Sequence, residues 1–223
     1  MPANRTLRVV LIMFALAFAA RAYARADHTT DELPKPAADL PAGKEGEKRT
    51  AVFAGGCFWC TEAVFEQLVG VGDVTSGYAG GTEETADYEL VSQGNTDHAE
   101  SIRITYDPSK ISYGELLRVF FTVVDPTTKD AQGPDHGRQY RSAIFYANDD
   151  EKRVAEAYVK QLTDAKLFKA PIVTTLEPLK GFYPAEQYHQ NYVTCNPNNP
   201  YVQQFAIPKV LKVKEKFKDE AKK

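Results

Sequence analysis

Apolar positions recur along this chain with two alternating periods. Thr50 to Ala54 is a short apolar run ending at Gly55-Gly56, which predicts a strand, and Cys57 to Leu68 continues with helical character. Ser101 to Tyr106 alternates, with Ile102, Ile104 and Tyr106 on one face of a second strand. Ser112-Tyr113-Gly114-Glu115 has the form of a capping box, opening a helix that buries Leu116, Leu117, Phe120, Phe121 and Val124. Asp125 to Tyr140 is rich in turn residues and reads as a long loop; inside a compact domain such loops are more often functional than idle. Arg141 to Ala147 predicts a strand, Asn148 the cap of a helix reaching about Ala165, Ile172 to Leu176 a further strand, and Ala185 to Thr194 a short helix. This order predicts a single α/β (α+β) domain, a two-layer sandwich of a mixed β-sheet with helices packed on it.

The first 26 residues stand apart. Arg5 and Arg8 precede an unbroken apolar stretch, Val9 to Ala20, and small-x-small steps follow at Ala22-Tyr23-Ala24 and Ala24-Arg25-Ala26. This is the layout of a cleaved signal peptide over residues 1–26, too short in its apolar part to span a bilayer comfortably. It predicts an exported protein, periplasmic or secreted. Residues 27–49, rich in Pro, Ala, Gly, Lys and Glu and without hydrophobic period, predict a disordered spacer. The catalytic domain then occupies residues 50–223. Losing the four arginines of residues 1–26 takes the net charge from −3 to −7. A mildly acidic chain has no electrostatic reason to bind nucleic acid or, once exported, an anionic membrane. The lysine-rich end, Lys209 to Lys223, reads as a solvated helix face.

Three cysteines remain: Cys57, Cys60 and Cys195. A chain with twelve Phe and twelve Tyr for its core has no need of disulfide staples, so a working set of thiols is expected. The Gly55-Gly56 pair permits a sharp strand-to-helix turn and leaves room for a substrate to approach. Cys57 then falls in the first helical turn, where the helix dipole commonly brings a thiol into the ~3.5–7.5 range and makes it a nucleophile. Cys60, three residues on, shares its face, and a disulfide between them requires local adjustment. Phe58 and Trp59 supply an aromatic wall suited to a small apolar group such as a methyl. Cys57-x-x-Cys60 also has the spacing of a thioredoxin-like disulfide oxidoreductase, which stands as the alternative. Covalent haem is excluded because Thr61, not His, follows Cys60, and His98, His136 and His189 show no metal-ligand spacing.

The motif does not stand alone. Gly56-Cys57-Phe58-Trp59 is followed by Ser76-Gly77-Tyr78-Ala79-Gly80-Gly81, Tyr88-Glu89-Leu90-Val91, Gly94-Asn95-Thr96-Asp97-His98-Ala99-Glu100 and Tyr106-Asp107-Pro108. Asp135-His136-Gly137-Arg138-Gln139-Tyr140-Arg141-Ser142 and Phe182-Tyr183-Pro184-Ala185-Glu186-Gln187-Tyr188-His189-Gln190 complete the set. In these blocks, over about residues 50–200, the chain resembles the peptide methionine sulfoxide reductases of the A type. The resemblance implies a fold related to the ferredoxin-like sandwiches and reduction of methionine S-sulfoxide, free or in oxidised proteins. It implies Cys57 as the residue that attacks the sulfoxide sulfur, Phe58 and Trp59 as the methyl pocket, and Glu100 as the acid that protonates the oxygen. Tyr88 and Tyr140 become phenols that hydrogen-bond that oxygen, and Asp135 a supporting acid. Protonation is what makes the sulfur electrophilic, so a neutral carboxylic acid with hydroxyl donors is a coherent set. No cofactor or metal is implied; electrons come from thioredoxin or a similar dithiol. Two departures bear on regeneration: Cys60 stands where most relatives have Gly, and the end of the chain carries no cysteine. Cys60 and Cys195 are therefore the candidate resolving residues, with Cys57–Cys60 preferred for its proximity.

Overall fold

The computed structural model describes residues Glu32 to Lys222, so the expected signal peptide and the first residues of the expected spacer lie outside it. Strand β1 (Arg49–Gly55) leads into helix α1 (Phe58–Phe65), strand β2 (Val71–Ala79), helix α2 (Tyr88–Ser92) and strand β3 (Ala99–Tyr106). Helix α3 (Tyr113–Val123) follows, then a small hairpin of β4 (Ala131–Gln132) and β5 (Asp135–His136), strand β6 (Ser142–Tyr146) and helix α4 (Asp149–Asp164). Strands β7 (Thr175–Pro178) and β8 (Phe182–Pro184), helix α5 (Tyr192–Cys195) and helix α6 (Ile207–Lys216) complete the order. Six strands form one sheet in the order β7-β6-β1-β3-β2-β8, antiparallel except for the β6–β7 pair.

Side-chain alternation divides this sheet into two unequal faces. Phe53, Ile102, Ile104 and Ile144 point toward the helices and build the main core with Phe65, Leu116, Phe120 and Tyr158. Val52, Ala54, Ala99, Ala143 and Phe145 point the other way, into a thin layer closed by Leu179 and Phe182. Parity therefore places Glu100, two positions from Ile102, on the helix-covered face, directly across from Tyr78 of β2.

Caps behave as the side-chain chemistry requires. Ser112 Oγ accepts the Glu115 amide at 3.1 Å, while the Glu115 carboxylate turns to Arg118, so only one arm of the expected capping box closes. Asn148 Oδ1 accepts the Glu151 amide at the start of α4.

Several expectations are corrected. From Glu32 onward the expected spacer is an arm laid on the domain: Leu33 is buried, its carbonyl accepts from Arg118 Nε, and Asp39 accepts from both Ser112 Oγ and the Gly114 amide. An extended arm with irregularly spaced anchors shows no hydrophobic period. The lysine-rich end does present the expected solvated face, with Val213 and Phe217 buried on the other. The strand expected at 172–176 lies at Thr175–Pro178. The helix expected over 185–194 breaks at Asn191, whose φ is +54°. There the Gln190 amide bonds both the N–H and the C=O of Ser76, as a neighbouring strand would, and holds the chain out of helical geometry.

Candidate active site

The chain enters the site through Gly55 and Gly56. Gly56 has φ +83°, and a Cβ there would fall 2.4 Å from Gln132 Cβ. Gln132 is itself pinned, its Oε1 accepting the Asp125 amide at 3.0 Å and its Nε2 donating to the Asp125 carbonyl at 2.6 Å. The room beside Gly56 thus belongs to Gln132, and that beside Gly55 to Val124, Thr61 and Phe120, rather than to a substrate, which corrects that part of the expectation.

Cys57 follows with φ −52° and ψ 121°, as the N-cap of α1 rather than a member of its first turn. It is buried and makes no capping hydrogen bond through its side chain. Burial pushes its thiol well above the ordinary value, and neighbouring Cys60 and Glu100 act in the same direction. Burial thus outweighs the depression expected of a helix start, and the first amide of α1, Phe58 N–H, donates to Glu100 Oε2 at 3.0 Å. The thiol of Cys60 behaves oppositely: by accepting a hydrogen bond from Cys57 it falls to about 7, against the effect of burial and with help from Lys209. The N-cap and third helical residue thus face each other within hydrogen-bond reach. Cys57, Cys60 and Cys195 are all free thiols, and only Cys195 is exposed.

Glu100 is 2% exposed, and burial raises its carboxyl to about 8, with the Phe58 amide pulling the other way. It is therefore largely the neutral acid at pH 7. Burial also raises the Tyr88 and Tyr140 phenols, each of which feels the charge of Glu100 and of Cys57. Asp135, likewise raised by burial, accepts from Tyr201 Oη at 2.5 Å. That hydroxyl also hydrogen-bonds Cys57. The structure thus gathers Cys57, Cys60, Glu100, Tyr88, Tyr140 and Asp135 around one buried point.

Aromatic rings close the other side. Trp59 stacks on Tyr192 with centroids 3.7 Å apart and planes 7° from parallel, and its Nε1–H donates to His189 Nδ1 at 3.1 Å. Phe58 is buried between His189 and Tyr78, with centroids 5.1 and 5.9 Å away, so Trp59 rather than Phe58 forms the more open wall.

Tyr201, Tyr192 and Glu186 escaped sequence reasoning as site residues, and His189 reads there only as a structural or supporting histidine. Tyr201 follows Asn196-Pro197-Asn198-Asn199-Pro200, which reads as a segment free to swing. In the structure it is tied down by Asn199 Oδ1, which accepts the Tyr201 amide, and by Asp135. Cys195 ends α5, two residues beyond Val193 in the apolar cluster that contains Cys57 and Cys60. His98 bonds the Gly81 amide and the Thr82 carbonyl, and His136 is exposed on β5. Among the described residues no group of three His, Cys, Asp or Glu side chains is placed to hold a metal.

Comparison with known proteins gives a consistent result. The family described as peptide methionine sulfoxide reductase matches residues 49–221. Peptide methionine sulfoxide reductase MsrA 2 of Mesorhizobium japonicum is 54% identical over 169 residues, 75% of this chain and 87% of that protein. The protein of the same name from Synechocystis sp. is 50% identical over 193 residues, 85% of this chain and 90% of its own. Among solved structures, Mxr1 from Saccharomyces cerevisiae in reduced form gives a TM-score of 0.61 at 36% identity, covering 70% of this chain and 90% of that one. Methionine sulfoxide reductase A of Corynebacterium diphtheriae gives 0.59 at 30% identity, covering 78% and 90%.

Proposed function

The chain belongs to the peptide methionine sulfoxide reductases and reduces methionine sulfoxide to methionine, and on that premise we propose how its residues divide the work. The thioredoxin-like alternative is not favoured, since the family match extends over residues 49–221 rather than over the cysteine pair. The observation that carries the division of labour is the Phe58 N–H bond to Glu100, which ties a largely neutral acid to the residue beside the buried Cys57 thiol.

Trp59, backed by Phe58, receives the substrate methyl group, and the sulfoxide oxygen lies toward Glu100, Tyr88 and Tyr140. Glu100 gives its proton to that oxygen as Cys57 sulfur attacks the substrate sulfur and forms a sulfur–sulfur bond, and the thiol proton restores Glu100; the hydroxyl then passes from the substrate sulfur to Cys57, breaking both the old S–O bond and the new S–S bond. Methionine leaves, and Cys57 keeps the oxygen as a sulfenic acid. Tyr201 and Asp135, hydrogen-bonded to each other beside the pair, hold Cys57 and Cys60 in place. The substrate taken is the S epimer, free or within oxidised proteins.

Cys60 then attacks the Cys57 sulfenic sulfur, forming the Cys57–Cys60 disulfide and releasing the oxygen as water. Cys60 lies beside Cys57 in the same buried cluster, whereas Cys195 is exposed at the end of α5, which supports this order over direct attack by Cys195. Because Cys57 and Cys60 are both buried, exposed Cys195 attacks the Cys60 sulfur, Cys57 leaves as the free thiol, and an external thioredoxin-type dithiol reduces the resulting Cys60–Cys195 bond. The amino-terminal pattern supports export to the periplasm or medium. One equivalent of methionine sulfoxide added to reduced enzyme without reductant, followed by peptide mapping, tests the order. It should yield Cys57–Cys60 first; Cys57–Cys195 alone, or a persisting sulfenic acid, would contradict it.

A further inference from the structure

His189 touches the aromatic side of the pocket at three points and contributes no step to the chemistry above. Its ring lies 4.3 Å from that of Tyr88, 5.1 Å from Phe58 and 5.7 Å from Trp59. Trp59 Nε1–H, which is only ever a donor, points at His189 Nδ1 from 3.1 Å. Nδ1 must therefore present its lone pair. Burial lowers the imidazole pKa and keeps the ring neutral, so its one proton sits on Nε2. That Nε2 is buried, makes no hydrogen bond, and lies 4.0 Å from Glu186 Oε2. Glu186 is fixed in turn by two donors: the Tyr88 amide reaches Oε1 at 3.0 Å, and Tyr78 Oη reaches Oε2 at 2.9 Å.

We infer that Glu186 is a positioning residue, which selects the Nε2–H tautomer of His189 and thereby keeps Nδ1 open to the Trp59 indole. The opposite tautomer would set a lone pair against the carboxylate and an N–H against the indole N–H, two repulsive contacts in place of two attractive ones. The same carboxylate holds Tyr88 by its backbone, so the methyl wall and one of the oxygen-binding phenols share a single anchor. This rests on the reading of Trp59 and Tyr88 as pocket residues, but its physical core, the tautomer, does not.

The informative variant is Glu186→Gln. The Tyr88 amide can only donate, so it claims the single oxygen of the new side chain and leaves the NH₂ group facing His189 Nε2. That favours a lone pair on Nε2 and a proton on Nδ1, and it ejects Trp59 from its hydrogen bond. The chain has four histidines and one tryptophan, so both groups can be read individually. Histidine ¹⁵N NMR should show a protonated Nε2 and a bare Nδ1 at His189 in the unaltered protein, reversed in the variant. Trp59 emission should shift with it. kcat/KM for methionine sulfoxide should fall roughly tenfold, mainly through KM, below the ~10²-fold that a misplacement of about 1 Å can cost. A proton on Nδ1 in the unaltered protein would overturn the inference even if the variant failed to fold. So would a Glu186→Gln protein that keeps both the original tautomer and the original emission. The NMR result needs no substrate, so it stands apart from any failure of the assigned pocket roles.

Discussion

The backbone amide of Phe58 donates to the carboxyl of Glu100 at 3.0 Å, so the residue that follows the nucleophile is bonded to the acid. Replacing Glu100 by Gln keeps an acceptor for that amide and removes the transferable proton. Single-turnover reduction of methionine sulfoxide should fall about 10²–10⁴-fold, the usual contribution of a positioned general acid. Cys57 should still be alkylated by a thiol reagent once the pH is high enough to ionise it.

The pH dependence follows from the same carboxyl. Buried Glu100 is raised to about 8, and the reaction needs it protonated, so the single-turnover rate should hold through neutrality and decline as pH rises through about 8. Stability moves in the same sense. A carboxyl raised in the folded state binds its proton there while the unfolded chain has already lost it, so stability falls as pH climbs from about 4.3 toward 8 and then levels. Glu100→Gln should flatten that slope, leaving the share of Glu62, which burial raises to about 7, and show a higher Tm than the unaltered protein at pH 8 to 9. An equal Tm across this range would contradict the burial of an ionisable acid.

Gly56 occupies a backbone conformation that L residues resist, with φ +83°, and its missing Cβ leaves room for Gln132. Gly56→Ala should therefore destabilise the domain by about 1–3 kcal/mol in denaturant unfolding, from positive-φ strain together with overpacking. Because Cys57 is the next residue, turnover should fall more than stability alone accounts for. A Gly56→Ala protein with unchanged stability would show that the 125–132 loop is not packed as described.

Sequence alone made much of this site legible where chemistry and periodicity coincided. Alternation in β3 placed Ile102 and Ile104 inward, and the same parity carries Glu100 beneath α1. The glycine turn and the cysteine pair marked the strand-to-helix junction directly. Strand β2 escaped, because Gly72, Asp73 and Thr75 interrupt its apolar run and its register slips between Val71 and Val74. The ionisation of Cys57 is set by tertiary burial, which a helix-start pattern does not carry, and the first amide of α1 serves Glu100. Tyr201 and Tyr192 lie in a polar, turn-rich stretch with no period of its own. Only the tertiary pairing of Tyr201 with Asp135 and of Tyr192 with Trp59 shows what they do.

Export is open to a separate test. Arg5 and Arg8 followed by the apolar run Val9 to Ala20 predict removal of the leader, giving a mature N-terminus near Arg25 or Asp27. N-terminal sequencing of protein recovered from the periplasm or medium of a bacterial host should find it there. An intact Met1 on protein confined to the cytoplasm would contradict the reading.

The central claim is that Cys57 alone performs the oxygen transfer, with Cys60 and Cys195 serving only to reset it. A chain carrying both Cys60→Ser and Cys195→Ser keeps Cys57 as its one sulfhydryl. Mixed with excess methionine sulfoxide and no reductant, it should release one methionine per chain and leave a sulfenic acid that dimedone traps on Cys57. Release of no methionine by this variant, while the unaltered enzyme releases it under the same conditions, would contradict the assignment of Cys57 as the nucleophile.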